Sequence, residues 1–210
     1  MKKILVNYNF TPDPTWIGED YLIYDRSDDG IDHLTDFDPA KVIRTENVGN
    51  VDYDKLRHLA ENYDTLPEVF LWGKTNLFKY ITPEEYEKVK DNTTFTPLLT
   101  STHKTYEDRN GPVCFYSGGM YYERNPLIFT IPAYNAKYFN SYGEFARAFG
   151  FPDPLYLPFP PGGNFILTKE KVFMYSRDLY AKLAAFLPYC QEPLEAHIYE
   201  RAYYSMWKED

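Results

Sequence analysis

Four short apolar runs, each stopped by a polar turn, open this chain and restrict what it can fold into. Lys3 to Tyr8 (KILVNY), Tyr21 to Tyr24 (YLIY), Lys41 to Thr45 (KVIRT) and Val69 to Trp72 are four to six residues long and rich in β-branched and aromatic side chains. Runs of that length, bounded by Pro, Gly, Asn and Asp, read as buried strands. Between the third and fourth, Leu56, Leu59, Ala60 and Tyr63 recur at helical spacing, so a helix is expected over Tyr53 to Tyr63 with Asp52 as its N-cap. Strand, turn, strand, turn, helix, strand is the order of a parallel βαβ sheet. The expected fold class is therefore α/β, with a central, mostly parallel mixed sheet flanked by helices. Ligands of such sheets sit beyond the carboxyl ends of the strands, where the polar turns converge.

The remaining chain changes character. Thr82-Pro83-Glu84-Glu85 carries a cap, a Pro at the first position and acids in the first turn, so a short helix to about Lys90 is expected. From Phe95 the pattern is α+β. Strands flank a Ser117-Gly118-Gly119 turn, Leu127 to Ile131 is β-rich, and Ser141 caps a helix to Phe149. Pro152 to Pro161 reads as a Pro-rich rim loop. Gly162-Gly163-Asn164 introduces a strand over Phe165 to Leu167, Thr168 and Ser176 cap two helices, and a last helix from Pro193 aligns Leu194, Ile198 and Ala202. With no internal repeat, the 210 residues are expected to form one domain, 1–210.

Composition removes several classes of function. A net charge of −9 argues against a nucleic-acid partner, whose phosphates demand clustered Lys and Arg. No run approaches the roughly 18 apolar residues of a membrane span, and MKKILVNYNF turns polar too soon for a secretory signal, so a cytoplasmic location is expected. Cys114 and Cys190 lack metal-ligand spacing and read as reduced structural thiols. Aromatic residues reach 19% of the chain, which is compatible with sugar rings stacking on aromatic faces and equally with an aromatic core.

Three strand-end turns carry the candidate chemistry. Asp25-Arg26-Ser27-Asp28-Asp29-Gly30 follows the second strand, where an acid can accept hydrogen bonds from a ribose or base; the same residues also make an ordinary solvated turn. Asn47-Val48-Gly49-Asn50 offers side-chain amides and a Gly that lets backbone approach a ligand. Trp72-Gly73-Lys74-Thr75-Asn76 places a cation after the fourth strand, suited to a diphosphate leaving group or simply to solvent. Asn7 and Tyr8 end the first strand, and Lys55 lies on the helix that follows the second turn. Asp108, Glu123 and Glu195 are candidate catalytic carboxylates, each also readable as a loop or helix acid. His103 and His197 have no neighbouring ligand at diagnostic spacing and stay outside the expected site.

Read in order, DRSDDG, ENVGN, a helix with Lys55, and FLWGK resemble the N-terminal half of GT-A glycosyltransferases, over roughly residues 3–80. GGNFILTKE with RDLY downstream looks like the acceptor-side segment of such domains, and Glu200-Arg201 with Trp207 resembles their closing helix. The whole chain is similar to viral members that build glycans on a major capsid protein. The resemblance implies a GT-A-like nucleotide-diphospho-sugar transferase fold, with about 1–80 as the nucleotide-binding half and about 95–210 as the acceptor-side half. It implies a hexosyltransferase that moves sugar from a UDP-sugar donor to a glycan or glycoprotein acceptor, uses Mn2+, works in host cytoplasm and belongs to a longer polypeptide. The nucleotide-binding residues it implies are Asn7, Tyr8, Asp25, Arg26, Ser27, Asn47, Gly49, Asn50, Lys55, Trp72, Gly73 and Lys74. One departure matters: the family ends its later strand on Asp-x-Asp, whereas WGKTN has no Asp, so the metal ligands do not carry over. A non-catalytic carbohydrate-binding or assembly module on the same fold is the alternative, and a nucleotidyltransferase lacks a Gly-rich phosphate loop here.

Overall fold

A computed structural model describes residues 1–28, 32–100, 105–125 and 134–208. The first run forms β1 (Lys2–Asn7). After it, a one-turn helix α1 (Pro14–Ile17) forms, because Asp13 accepts from the Thr15 amide and Pro14 sits at the first position. β2 (Tyr21–Asp25), β3 (Val42–Arg44), α2 (Asn50–Glu61) and β4 (Val69–Lys74) follow as expected in kind. The N-cap of α2 is Gly49, three residues before the expected Asp52. Thr82 makes a full capping box for α3 (Pro83–Val89), and β5 is the pair Thr96–Pro97.

β6 (Tyr106–Asp108), β7 (Gly111–Ser117) and β8 (Met120–Arg124) come next, β7 and β8 joined at Gly118-Gly119. Ser141 caps α4 (Tyr142–Phe149). The expected Pro-rich loop contains a strand, β9 (Tyr156–Phe159), which pairs along β8 with Pro158 opposite Tyr122. β9 ends its sheet, and an edge strand tolerates the missing Pro N–H. β10 (Phe165–Thr168) leads into α5 (Lys169–Phe173) and α6 (Arg177–Ala185), capped by Thr168 and Ser176, and α7 (Leu194–Trp207) is last. The expected strand at Leu127 to Ile131 lies outside the described residues, as do His103, Asp29 and Gly30.

The main sheet has the order β3-β2-β1-β4-β10-β5. Its first four strands are mutually parallel, and β10 runs antiparallel to both β4 and β5. Side chains of a strand alternate between faces, so each strand feeds two cores. Ile4, Val6, Tyr24, Phe70, Trp72, Phe165 and Leu167 face α2, α4, α6 and α7. Leu5, Ile23, Leu71 and Ile166 face α1 and α3. Phe70 is fully buried, and truncating such a side chain to Ala costs about 3–5 kcal/mol. The aromatic excess is largely spent here: Phe139, Phe145, Phe149, Phe151 and Phe186 pack ring against ring beside α4 and α6. A second sheet, β6-β7-β8-β9, is antiparallel throughout, and α7 packs against its β9 edge.

Candidate functional site

The chain steps outward from β1 through β2 to β3, then returns through α2 to β4 on the other side of β1. This reversal leaves a crevice beyond the carboxyl ends of β1 and β4, the place where open α/β sheets bind ligands. Asn7 organises it. The Asn7 Nδ2 donates to Asp25 Oδ1 and Ser27 Oγ, both at 3.2 Å, and its Oδ1 accepts from Thr75 Oγ1 at 2.5 Å, so one buried amide ties the ends of β1, β2 and β4 together. Asp25 also accepts from the Ser27 amide (3.1 Å) and hydroxyl (2.7 Å) and pairs with Arg44. Burial raises the Asp25 pKa, but the bonds from Ser27, Asn7 and Arg44 outweigh it and hold the carboxyl below its ordinary range.

Two adjoining clefts open above this platform. One, of about 450 Å³, is lined by Arg26, Ser27, Asp28, Arg44, Thr45, Glu46 and Asn47. The other, of about 410 Å³, is lined by Tyr8, Asn47, Asn50, Lys74, Gln191, Glu192 and His197, so Asn47 borders both. Arg26 is 1% exposed; its Nε donates to Asp54 Oδ2 at 2.5 Å, while Nη1 and Nη2 are buried without a well-formed hydrogen bond. Its guanidinium lies 5.9 Å from the Tyr8 ring centroid. Burial raises the Tyr8 pKa more than Arg26 and Lys74 lower it, which keeps the phenol O–H as a donor.

His197 lines the second cleft, with Nε2 buried and without a hydrogen-bond partner and the ring packed 3.9 Å from Tyr134 between centroids. Burial lowers its pKa to about 4, with Arg201 and Lys74 adding to that and Glu200 opposing it, so the imidazole is neutral at pH 7. Sequence reading left His197 out because a lone His on a helix carries no spacing signal. Gln191 and Glu192 carry no sequence signal either: only folding brings the 190–192 segment against the start of α2, and Arg44 and Thr45 at the end of β3 read simply as strand residues.

Of the expected nucleotide-binding residues, Tyr8, Arg26, Ser27, Asn47, Asn50 and Lys74 line the clefts, and Asn7 and Asp25 brace them from beneath. Four others have different work. The Trp72 side chain points into the core, its ring 5.6 Å from that of His58. Gly73 lies under Asn164, whose Oδ1 is 3.0 Å from where a Cβ would stand. Gly49 adopts a left-handed φ of 69°, and a Cβ there would meet Tyr53 at 2.6 Å and Leu187 at 2.9 Å. The backbone amides of Gly49 and Asn50 are taken by the carbonyls of Cys190 and Gln191, so Gly49 admits a neighbouring loop, not a ligand. Lys55 is 2% exposed; its Nζ donates to the Gly163 carbonyl at 2.5 Å and stands 3.6 Å from Asp52. Burial lowers its pKa to about 8 despite Asp52. Asp52, expected as a cap, is instead a buried acceptor for the Tyr203 hydroxyl at 2.8 Å.

The three expected catalytic carboxylates are engaged away from both clefts. Asp108 pairs with Arg124 across the small sheet. Glu123 accepts from Arg201 Nε at 2.8 Å. Glu195, with no exposed surface, accepts three backbone amides, from Lys137, Tyr138 and Phe139, and the Tyr189 hydroxyl. A carboxylate so held, with Oε1 crowded by three amides and no exposed surface, is not positioned to meet an acceptor hydroxyl.

The expected Mn2+ does not fit this donor set. Among the described residues no group of three or more His, Cys, Asp or Glu side chains is placed to hold a cation. Hard cations want several oxygen ligands, and the acids behind the second cleft are spent: Asp52 on Lys55 and Tyr203, Glu200 on Arg201 and the Gly162 amide. A separate pocket of about 280 Å³, lined by Phe10, Trp16 and Phe78 together with Asp13, Thr75, Asn76 and Lys79, adjoins the end of β4. No helix among the described residues is long and apolar enough to cross a membrane. No protein-family model, no curated protein and no solved structure matches the chain.

Proposed function

We propose that the paired clefts bind a nucleoside-diphosphate sugar and that the protein is a glycosyltransferase of GT-A type, taking a UDP-sugar as donor and a glycan as acceptor. The observation that carries the reading is Arg26: a fully buried guanidinium anchored through Nε, lining the cleft at the ends of β2 and β3, beside Tyr8, with Nη1 and Nη2 lacking a well-formed hydrogen bond. Buried donors left without acceptors are costly, and a ligand rich in carbonyl and hydroxyl oxygens relieves that cost. A nucleoside fits the first cleft by this chemistry, with the diphosphate and sugar directed past Asn47 into the second. The parallel order of β3, β2, β1 and β4, followed by an antiparallel β10, is also in keeping with a GT-A-like sheet. The aromatic pocket of Phe10, Trp16 and Phe78 offers ring faces for an acceptor sugar, in place of the second half expected from sequence.

Calorimetric titration with UDP tests this. The wild-type chain is expected to bind UDP, and Arg26→Met, which keeps the bulk of the side chain, to bind it at least tenfold more weakly; no UDP binding by the wild type overturns the reading. A second reading, a catalytically silent carbohydrate-binding module on the same fold, is favoured by one observation, that Asp108, Glu123 and Glu195 are all consumed by structural partners. Release of UDP from a UDP-sugar, by hydrolysis or transfer, excludes it. Glycan binding without UDP binding supports it.

A further inference from the structure

The charge balance of the second cleft rests on the proposed function and departs from the metal that the family resemblance implies. Lys74 is the last residue of β4, in register with Val6 of β1, so it stands at the crevice between the two parallel strands. Its backbone amide donates to Asn164 Oδ1 at 2.9 Å, which fixes the main chain. Its Nζ donates to the Tyr80 hydroxyl at 3.1 Å and lies 5.1 Å from that ring's centroid. Tyr80 is itself wedged against Gly162, where a Cβ would come within 2.4 Å of the ring. An ammonium group has three donors, and Tyr80 uses one. Burial lowers the Lys74 pKa, but Tyr80 and Glu200 raise it by more, so the side chain is a cation at neutral pH.

Behind it lies a second cation. Lys55 is held by Gly163 and Asp52, and Gly163, at a left-handed φ of 63°, leaves open the space that brings Lys55 Nζ to 2.5 Å from where a Cβ would stand. The adjacent acids, Asp52 and Glu200, are both committed to protein donors. A positioned cation thus occupies the strand end at which the resembled family has metal-holding acids.

We propose that Lys74 neutralises the donor's diphosphate directly, so that nucleoside-diphosphate binding by this protein is independent of a divalent metal. In a transfer step the acceptor hydroxyl oxygen bonds to the anomeric carbon as the bond from that carbon to the β-phosphate oxygen breaks, and the hydroxyl proton passes to solvent water. The electron pair leaves with the diphosphate, and the Lys74 ammonium meets the added negative charge.

The test is titration of UDP and of uridine into wild-type protein, in EDTA and in excess Mn2+, and into Lys74→Ala and Lys74→Arg. UDP affinity is expected to be the same within about twofold in EDTA and Mn2+. It should fall by about tenfold to a hundredfold in Lys74→Ala and recover in part in Lys74→Arg, while uridine affinity stays unchanged. UDP binding that appears only with Mn2+, or a Lys74→Ala protein that binds UDP as well as wild type, overturns the proposal and leaves the UDP site standing. Absence of UDP binding under both conditions removes the site and the proposal together. Should Lys74→Ala fail to fold, the EDTA arm on the wild type and the Lys74→Arg protein still decide the matter.

Discussion

The crevice at the ends of β1 and β4 and the junction between the small sheet and α7 are both rich in buried charge, yet they are built in opposite ways. In the crevice, Arg26 keeps two nitrogens unpaired, His197 keeps Nε2 unpaired, and Lys74 uses one of three donors. At the junction, Arg201 is divided between Glu123 and Glu200, and Glu195 is saturated by three amides and a phenol. Buried polar groups in native proteins are normally satisfied, so unspent capacity marks a place for a ligand and spent capacity marks architecture. Counting acids would have chosen the wrong region. Arg26, His197 and Lys74 bring unspent capacity together at the clefts.

The largest effect separating the two regions is expected at the junction. Glu123→Ala leaves Arg201 short of its partner in a site where the two side chains are only 11% and 8% exposed, so stability should fall by about 3–5 kcal/mol in urea denaturation. UDP affinity measured below the transition should hold. A Glu123→Gln protein of near-normal stability that loses UDP binding would place this carboxylate in the ligand site and collapse the distinction.

Acid comes next. His58 and His197 both have pKa values lowered to about 4, chiefly by burial, from an ordinary 6.5. Between pH 6.5 and 4 the unfolded chain takes up protons that the folded chain refuses, so this stability is fully present above 6.5 and is lost as the pH falls toward 4. For His58, 4% exposed and in contact with the Tyr24 hydroxyl at 2.7 Å, the loss is on the order of 3 kcal/mol; His197 adds less because it borders the cleft. Thermal melts from pH 7 to 4.5 should show a falling Tm in wild type and a shallower fall in His58→Gln. Equal slopes in the two proteins would show that His58 burial is not what the fold resists.

The smallest effect sharpens the crevice side. Thr75→Val removes the donor to Asn7 Oδ1 at little change in volume, so stability should fall by about 1 kcal/mol. Because Asn7 also orients Asp25 and Ser27, UDP affinity should weaken by a few-fold in the same calorimetric assay. Unaltered affinity would mean that Asn7 holds the strands together without shaping the site.

Local physics made most elements legible. Short apolar runs form β1, β2, β3, β4 and β10, and Thr82, Ser141, Thr168 and Ser176 cap the helices that their positions predict. The same logic failed at Asp52, where a good capping residue is drawn into the core by Tyr203, 151 residues away, and the helix starts three residues earlier. It failed at β9, since a Pro in a strand reads as a breaker until an edge position is known. The clefts were half legible. Tyr8, Arg26, Asn47 and Lys74 follow strands or turns, a placement readable from composition, whereas Gln191, Glu192 and His197 reach the site from α7 and the segment before it.

Periodicity, turn chemistry and capping thus specify the α/β layering and bring polar residues to the strand ends, because those signals act over a few neighbouring residues. Which of those groups stay unpaired was settled by contacts that join distant parts of the chain: Asp54 on Arg26, Gly163 on Lys55, Arg201 on Glu123, and a loop from 190–191 laid over Gly49. A side chain's charge is written in the sequence, but whether that charge is already spent depends on partners that only packing supplies.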